Sequence, residues 1–208
     1  LAAFISAPNG IFVKLAGDTL DPFVLNSLRF LLIAVVTLPY LIYVRRKITR
    51  KNLRYSLLMG VWMTLAAMSY VGAISLSQAS YVGIIALGMP IVFILYSIAM
   101  THEKVTARSI VGIALAAAGA FVVVALPLIL DGGIGQDQNV WATILALVDV
   151  FAFPLAIIYS RKANEAGLPV MASFSISSAV VAIVTTCSAL IVVGARAYEA
   201  AYDPQSII

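Results

Sequence analysis

Long apolar runs alternate with short polar links along the whole chain. Seven runs stand out, over residues 1–15, 23–44, 55–74, 79–100, 107–128, 140–160 and 170–194. A helix needs about 20 consecutive apolar residues to cross a bilayer. Six of the seven runs are of that order, and none alternates with the period of two that a transmembrane β-strand requires. The pattern predicts an all-α polytopic membrane protein. The first run is short and opens on Leu1 rather than Met, so a first helix that has lost its beginning is expected. A signal peptide would need a basic start and a small-residue cleavage site. The early lysine, Lys14, lies at the wrong end for that.

One run carries a contradiction. The stretch SLSQASYVGIIALGMPIVFILYSIAM, Ser75 to Met100, holds no charge, yet Pro90 falls near its middle. Proline removes a helix hydrogen bond and clashes with the preceding turn. In lipid the freed carbonyl needs another partner, so a kink is tolerated where it faces protein or a wet cavity. Pro90 is therefore a helix-kink candidate, either shaping a cavity or serving packing alone. Pro8 and Pro154 are candidates on the same grounds, and Pro39, near the end of its span, fits a structural kink.

Composition agrees with the pattern. Charged residues make up 11% of the chain, against about 25% in soluble domains. Of the 13 Lys and Arg, ten fall in three links, 45–54, 101–109 and 160–168. These links lie on one face if every run spans, and the positive-inside rule makes that face cytoplasmic. The net charge of +4 then reflects topology in an inner or plasma membrane, and no nucleic-acid surface is expected. The single cysteine, Cys187, lies inside a run and is expected to be a small buried packing residue. The single histidine, His102, lies in a link without zinc-ligand spacing, so neither a metal nor a cofactor is expected.

A weak internal repeat adds organisation. Ala7–Ser27, APNGIFVKLAGDTLDPFVLNS, compares with Phe153–Ser173, FPLAIIYSRKANEAGLPVMAS. Pro8 pairs with Pro154 and Pro22 with Pro169, at spacings of 14 and 15 residues. In each copy a proline inside a span is followed by a polar loop, and a second proline opens the next span, where its missing N–H costs nothing. Five spans separate the copies, so they must be inverted, a hallmark of secondary transporters. With a five-span unit, residues 1–128 form a first unit, 129–139 an external linker, and 140–208 the first two helices of a second. Three further helices are expected after Ile208.

These features resemble the EamA-type transporters of the drug/metabolite transporter superfamily. The residues that carry the resemblance are PNGIFVKLAGDTLDPFVLNSLRF, with Lys14 and Arg29; ISLSQASYVGIIALGMPIVFIL, Ala/Ser-rich before a proline; and MTHEKVTARSIVGIALAAAGAFVVV, with Glu103 before a Gly/Ala-rich helix. The resemblance implies ten helices in two inverted five-helix units around a central substrate cavity. It also implies transport of amino acids, other metabolites, nucleotide sugars or drugs.

The residues themselves suggest where a solute would meet the protein. Arg29 lies seven residues past Pro22, ~10 Å into its span. An intramembrane charge costs at least ~2.5 kcal/mol and usually faces the bundle interior or water. Arg29 is thus a cavity candidate, as a tether between helices or a contact for an anionic group. Asp149 sits near the centre of WATILALVDVFAFPLAIIY with no neighbouring charge. It must be protonated, paired or hydrated, and Arg29 or a coupling proton or cation would serve. Trp62, deep in its run, and Asn9, beside Pro8, are further cavity candidates. Tyr70 and Tyr81 lie near span ends, where an interfacial belt is expected. Gly112, Ala116 and Ala120 form a small-residue stripe suited to close packing within the unit or between subunits of a homodimer.

The function that follows is a secondary transporter moving a small metabolite, amino acid or drug-like solute by alternating access, with the lipid bilayer as its surroundings. The alternative is a non-transporting scaffold or a lipid-carrier flippase subunit. No catalytic residues are assigned. An intramembrane enzyme needs Ser–His, paired Asp or metal-binding His arrangements within spans, and these are not in the pattern.

Overall fold

A computed structural model describes residues 21–101 and 139–192, together with 106, 108, 110–112, 114–115, 118–119, 122 and 194. Among the described residues the protein is helical, without strands. Helix α1 spans Pro22–Val44, followed by a 3-10 turn at Arg45–Lys47; α2 is Arg50–Leu76, α3 Ala79–Ala86, α4 Met89–Thr101, α5 Val140–Glu165 and α6 Val170–Val192. Five stretches are long and apolar enough to cross a membrane: Phe23–Lys47, Arg50–Leu76, Ala79–Met100, Val140–Glu165 and Val170–Ile191. The chain is an all-α, integral multi-pass membrane protein. The expected first span lies outside the described residues, as does much of the fifth, whose described positions between 108 and 122 are helical.

Local chemistry sets the helix ends. Asp21 caps α1, its carboxylate accepting from Phe23 N at 2.9 Å, and Pro22 opens the first turn. Thr49 and Asn52 form a reciprocal capping box on α2: Thr49 N donates to Asn52 Oδ1 at 2.8 Å and Asn52 N to Thr49 Oγ1 at 3.3 Å. Asn52 Nδ2 also donates to the Lys47 carbonyl at 2.9 Å. This corrects the link drawn at 45–54: α2 starts at Arg50, so Arg50, Lys51 and Arg54 sit on its first turns. Likewise α5 continues to Glu165, which places Arg161 and Lys162 on a helix rather than in a loop. Hydropathy marks where the apolar stretch stops, and the capped backbone runs further.

The turn from α5 to α6 is a Schellman motif. Gly167 N donates to Asn164 O at 2.9 Å and Leu168 N to Ala163 O at 3.1 Å, with Gly167 at φ +90°. Leu168 is thereby buried against Val44, Ala172 and Ile176, with Leu41 and Ile48 beside them.

The helices pack antiparallel in two main pairs, α2 with α5 and α1 with α6. Tyr55 meets Tyr159 at one end of the first pair and Gly72 meets Leu145 towards the other. In the second, Val44 packs with Ala172, Thr37 with Ser175, and Phe30 with Val181 and Ala182. Helix α6 also packs on α2, where Gly60 faces Val180. These directions put the Arg45–Arg54 segment and the α5–α6 turn at one edge of the bundle, here the basic edge. The starts of α3 and α5 lie at the opposite edge, where Tyr81 and Thr143 share a 2.9 Å hydrogen bond.

The 79–100 span is two helices. The chain tightens into 3-10 geometry, with Leu87 N donating to Ile84 O at 3.1 Å and Gly88 N to Ile85 O at 3.0 Å, before α4 begins. Pro90 is the second residue of α4, where its missing N–H is not needed. Its ring would clash with the carbonyl four residues earlier. The break therefore falls at Leu87–Gly88, ahead of the proline. Pro154 lies inside the continuous helix α5 and is fully buried, whereas Pro90 and Pro39 are exposed.

Candidate functional site

Four helices line a half-open cavity of about 210 Å³. Helix α1 contributes Arg29 and Phe30, and α5 contributes Asp149 and Phe153. Helix α2 contributes Met63, Ala66, Ala67 and Tyr70, spaced at three and four residues so that they share one face. Met89, the first residue of α4, completes the wall. The break before α4 is what brings this residue there: Gly88 sits on α5, with room for a Cβ only 3.4 Å from Val150 Cγ1.

The cavity gathers three polar groups from three helices. Asp149 is 4% exposed. Arg29 is half-buried, and its guanidinium carbon lies 5.6 Å from the Phe30 ring centroid, a cation–π distance. No direct ion pair joins Arg29 to Asp149 among the described residues, so the two expected partners share a cavity without closing a bridge. Tyr70 lies within electrostatic reach of both. Both side chains thus face an apolar-walled space where electrostatic interactions are strong.

Asn26, one turn before Arg29, anchors this part of α1. It is fully buried and donates through Nδ2 to Ala67 O at 3.1 Å and to Met68 Sδ at 3.5 Å. Its Oδ1 is buried without a partner among the described residues. Sequence reasoning passed over Asn26, although a polar residue one turn from a charge on the same helix face was the available signal. Tyr70 was placed in an interfacial belt; the structure turns it into the cavity beside Asp149.

Other candidates lie elsewhere. Trp62 lines a separate apolar groove with Leu65, Tyr96 and Phe151, outside the charged cavity. Pro154 follows the lining residue Phe153, while Pro90 is exposed and lines none of these recesses. Asn9 and Pro8 lie outside the described residues, as do His102, Ala116 and Ala120. Gly112 is exposed, and a Cβ added there would meet no atom of the described residues within 4 Å. Cys187 is exposed too, which corrects its assignment to the packed interior. It shares the outward face of α6 with Ile183, Val184 and Ile191.

The family model described as the EamA-like transporter family matches residues 1–125. No curated protein and no solved structure matches the chain.

Proposed function

The chain belongs to the EamA-like transporter family, and from that premise we propose that it is a secondary transporter for a small metabolite, amino acid or drug-like solute. The observation that carries this reading is the convergence of Arg29, Tyr70 and Asp149 in one apolar-walled cavity beside a broken helix. Broken helices at mid-depth are where secondary transporters place substrate and coupling ions. Arg29 would meet an anionic or carboxylate group. Asp149 would take a cationic group, a proton or a coupling cation. The α3–α4 break supplies a bending point for alternating access. Family membership points to transport rather than to a chemical reaction.

The wider architecture in this proposal is two inverted five-helix units. It is supported by the antiparallel packing of α1 on α6, the helices that open with Pro22 and after Pro169 in the repeated segments. The excess of Lys and Arg at the basic edge supports a cytoplasmic location for that edge, in an inner or plasma membrane.

The test is solute flux in proteoliposomes carrying the full-length protein, screened with labelled amino acids and other small metabolites. We expect saturable uptake. Asp149→Asn should remove its pH dependence. Arg29→Gln should raise the half-saturation concentration about 10- to 100-fold, the scale of one lost charge-assisted hydrogen bond. Unchanged pH-dependent transport in the Asp149 variant would sink the assignment of that residue. Absence of flux for every solute would favour the scaffold or lipid-carrier flippase alternative.

A further inference from the structure

A second cavity lies on the outer surface of α2. Arg50, Lys51, Arg54, Tyr55 and Leu58 line a recess of about 420 Å³ at the basic edge. Their spacing puts all five on one helix face. The three cations are exposed, and no carboxylate lines the recess among the described residues. They occupy the first turns of α2, where the positive end of the helix dipole adds to their field. Across the antiparallel pair, the Tyr55 and Tyr159 rings are 6.4 Å apart, and Lys162 Nζ lies 5.9 Å from the Tyr159 ring centroid. A fourth cation therefore stands at the same edge.

The face does not end at Leu58. Trp62 and Leu65, four and seven residues on, lead into the apolar groove between α2, α4 and α5, whose far wall includes Phe151 and Leu155. Leu58, Leu65 and Phe151 are all exposed. From Arg54 to Leu65 the helix rises ~16 Å. One leaflet of a ~30 Å hydrocarbon core is ~15 Å deep. The surface thus presents cations at headgroup level, a tyrosine at the boundary, and an apolar path that is about one leaflet deep at Leu65 and continues along the groove towards Ile144.

We propose that this face binds one anionic phospholipid, its phosphate between Arg50, Lys51 and Arg54 and an acyl chain along the groove past Trp62 and Leu65. The charge is complementary to the headgroup and the depth to the chain. The inference is independent of the transport reading, since the recess and groove share no lining residue with the Arg29–Asp149 cavity.

The experiment is native mass spectrometry of the delipidated full chain, titrated with long-chain phosphatidylglycerol. Phosphatidylcholine, short-chain phosphatidylglycerol and glycerol phosphate are titrated in parallel. We expect a saturable one-to-one adduct with long-chain phosphatidylglycerol alone. Each basic side chain contributes about fivefold at an anionic surface, so R50Q/R54Q should weaken binding roughly 25-fold, while R50K/R54K stays near wild type. R45Q/R46Q, in the same basic segment but outside the recess, should bind normally. Wild-type affinity in R50Q/R54Q overturns the site. An equal loss in R45Q/R46Q overturns it in favour of diffuse surface charge. Glycerol phosphate or the short-chain lipid binding as tightly as the long-chain lipid overturns the lipid assignment.

Discussion

Gly60 offers a sharp test of the helix packing, because the expected sign of its substitution depends on one contact. In an open helix, Gly→Ala stabilises by ~1 kcal/mol through backbone entropy. At Gly60 an added Cβ would lie 2.7 Å from Val180 Cβ, and 3.0 and 3.1 Å from its two Cγ atoms. Carbon atoms prefer ~3.5–4.0 Å, and Val180 Cβ is fixed to the α6 backbone. Relief therefore requires α2 and α6 to separate, not a rotamer change. Overpacking of this kind costs ~1–3 kcal/mol, and with a rigid partner the upper half of that range applies. After the propensity gain, Gly60→Ala should destabilise by ~1–2 kcal/mol, a Tm fall of about 2–8 °C at this chain length. Gly83 in α3 has no atom of the described residues within 4 Å of its added Cβ, so Gly83→Ala should raise Tm by about 1–4 °C. The assay is the folded fraction surviving heating in detergent, read by size-exclusion chromatography. A Tm for Gly60→Ala at or above wild type would refute the close approach of α2 and α6. In the Gly60→Ala background, Val180→Ala should restore only part of the loss, because it keeps the Cβ at 2.7 Å. Full restoration would locate the strain in the valine methyls instead.

Two further outcomes follow from the helix contacts. Thr37 Oγ1 and Ser175 Oγ are 2.9 Å apart across the α1–α6 interface; a double-mutant cycle of Thr37→Val and Ser175→Ala should give a coupling of about 0.6 kcal/mol, the usual scale for such bonds in membranes, and zero coupling would deny the contact. Gly167 holds φ +90° in the turn between α5 and α6, so Gly167→Ala should cost ~1–2 kcal/mol while Gly167→Asn costs less, measured as loss of thermal stability; equal stability of the two variants would count against the left-handed turn.

Much of the fold was legible because lipid imposes a length and an apolar composition on any spanning helix. The runs at 23–44, 55–74, 79–100, 140–160 and 170–194 all correspond to spans. Their ends were less legible. The first turns of α2 carry Arg50, Lys51 and Arg54, which an apolar count assigns to a loop although the Thr49–Asn52 box holds them in helix. Pro90 announced a break, but its clash acts on the carbonyl four residues earlier, so the distortion appears at Leu87–Gly88. The interior placement of Arg29 and Asp149 was legible for a related reason: a charge within a span is too costly to leave facing lipid. Tyr70 was not, because tyrosine is comfortable both at an interface and against a buried charge.

Helix α2 shows where the remaining information resides. Each residue advances the helix by ~1.5 Å and turns it by ~100°. Trp62 and Met63 therefore share a depth yet face different surroundings: Met63 lines the charged cavity and Trp62 the outer groove. Gly60 faces α6, and Arg54, Leu58 and Leu65 look outward. Depth is written in the local hydropathy, since the bilayer reads the chain along its own axis. Rotation is set by contacts with α1, α5 and α6, whose residues lie up to more than a hundred positions away in the chain. All faces of α2 are apolar over most of its length, so composition offers no moment to orient it. The small residues do: Gly60, Ala66 and Ala67 mark the sides approached by other helices, and the side they leave carries Leu58, Trp62 and Leu65. By face, Trp62 belongs to the outer groove; depth alone leaves its surroundings open.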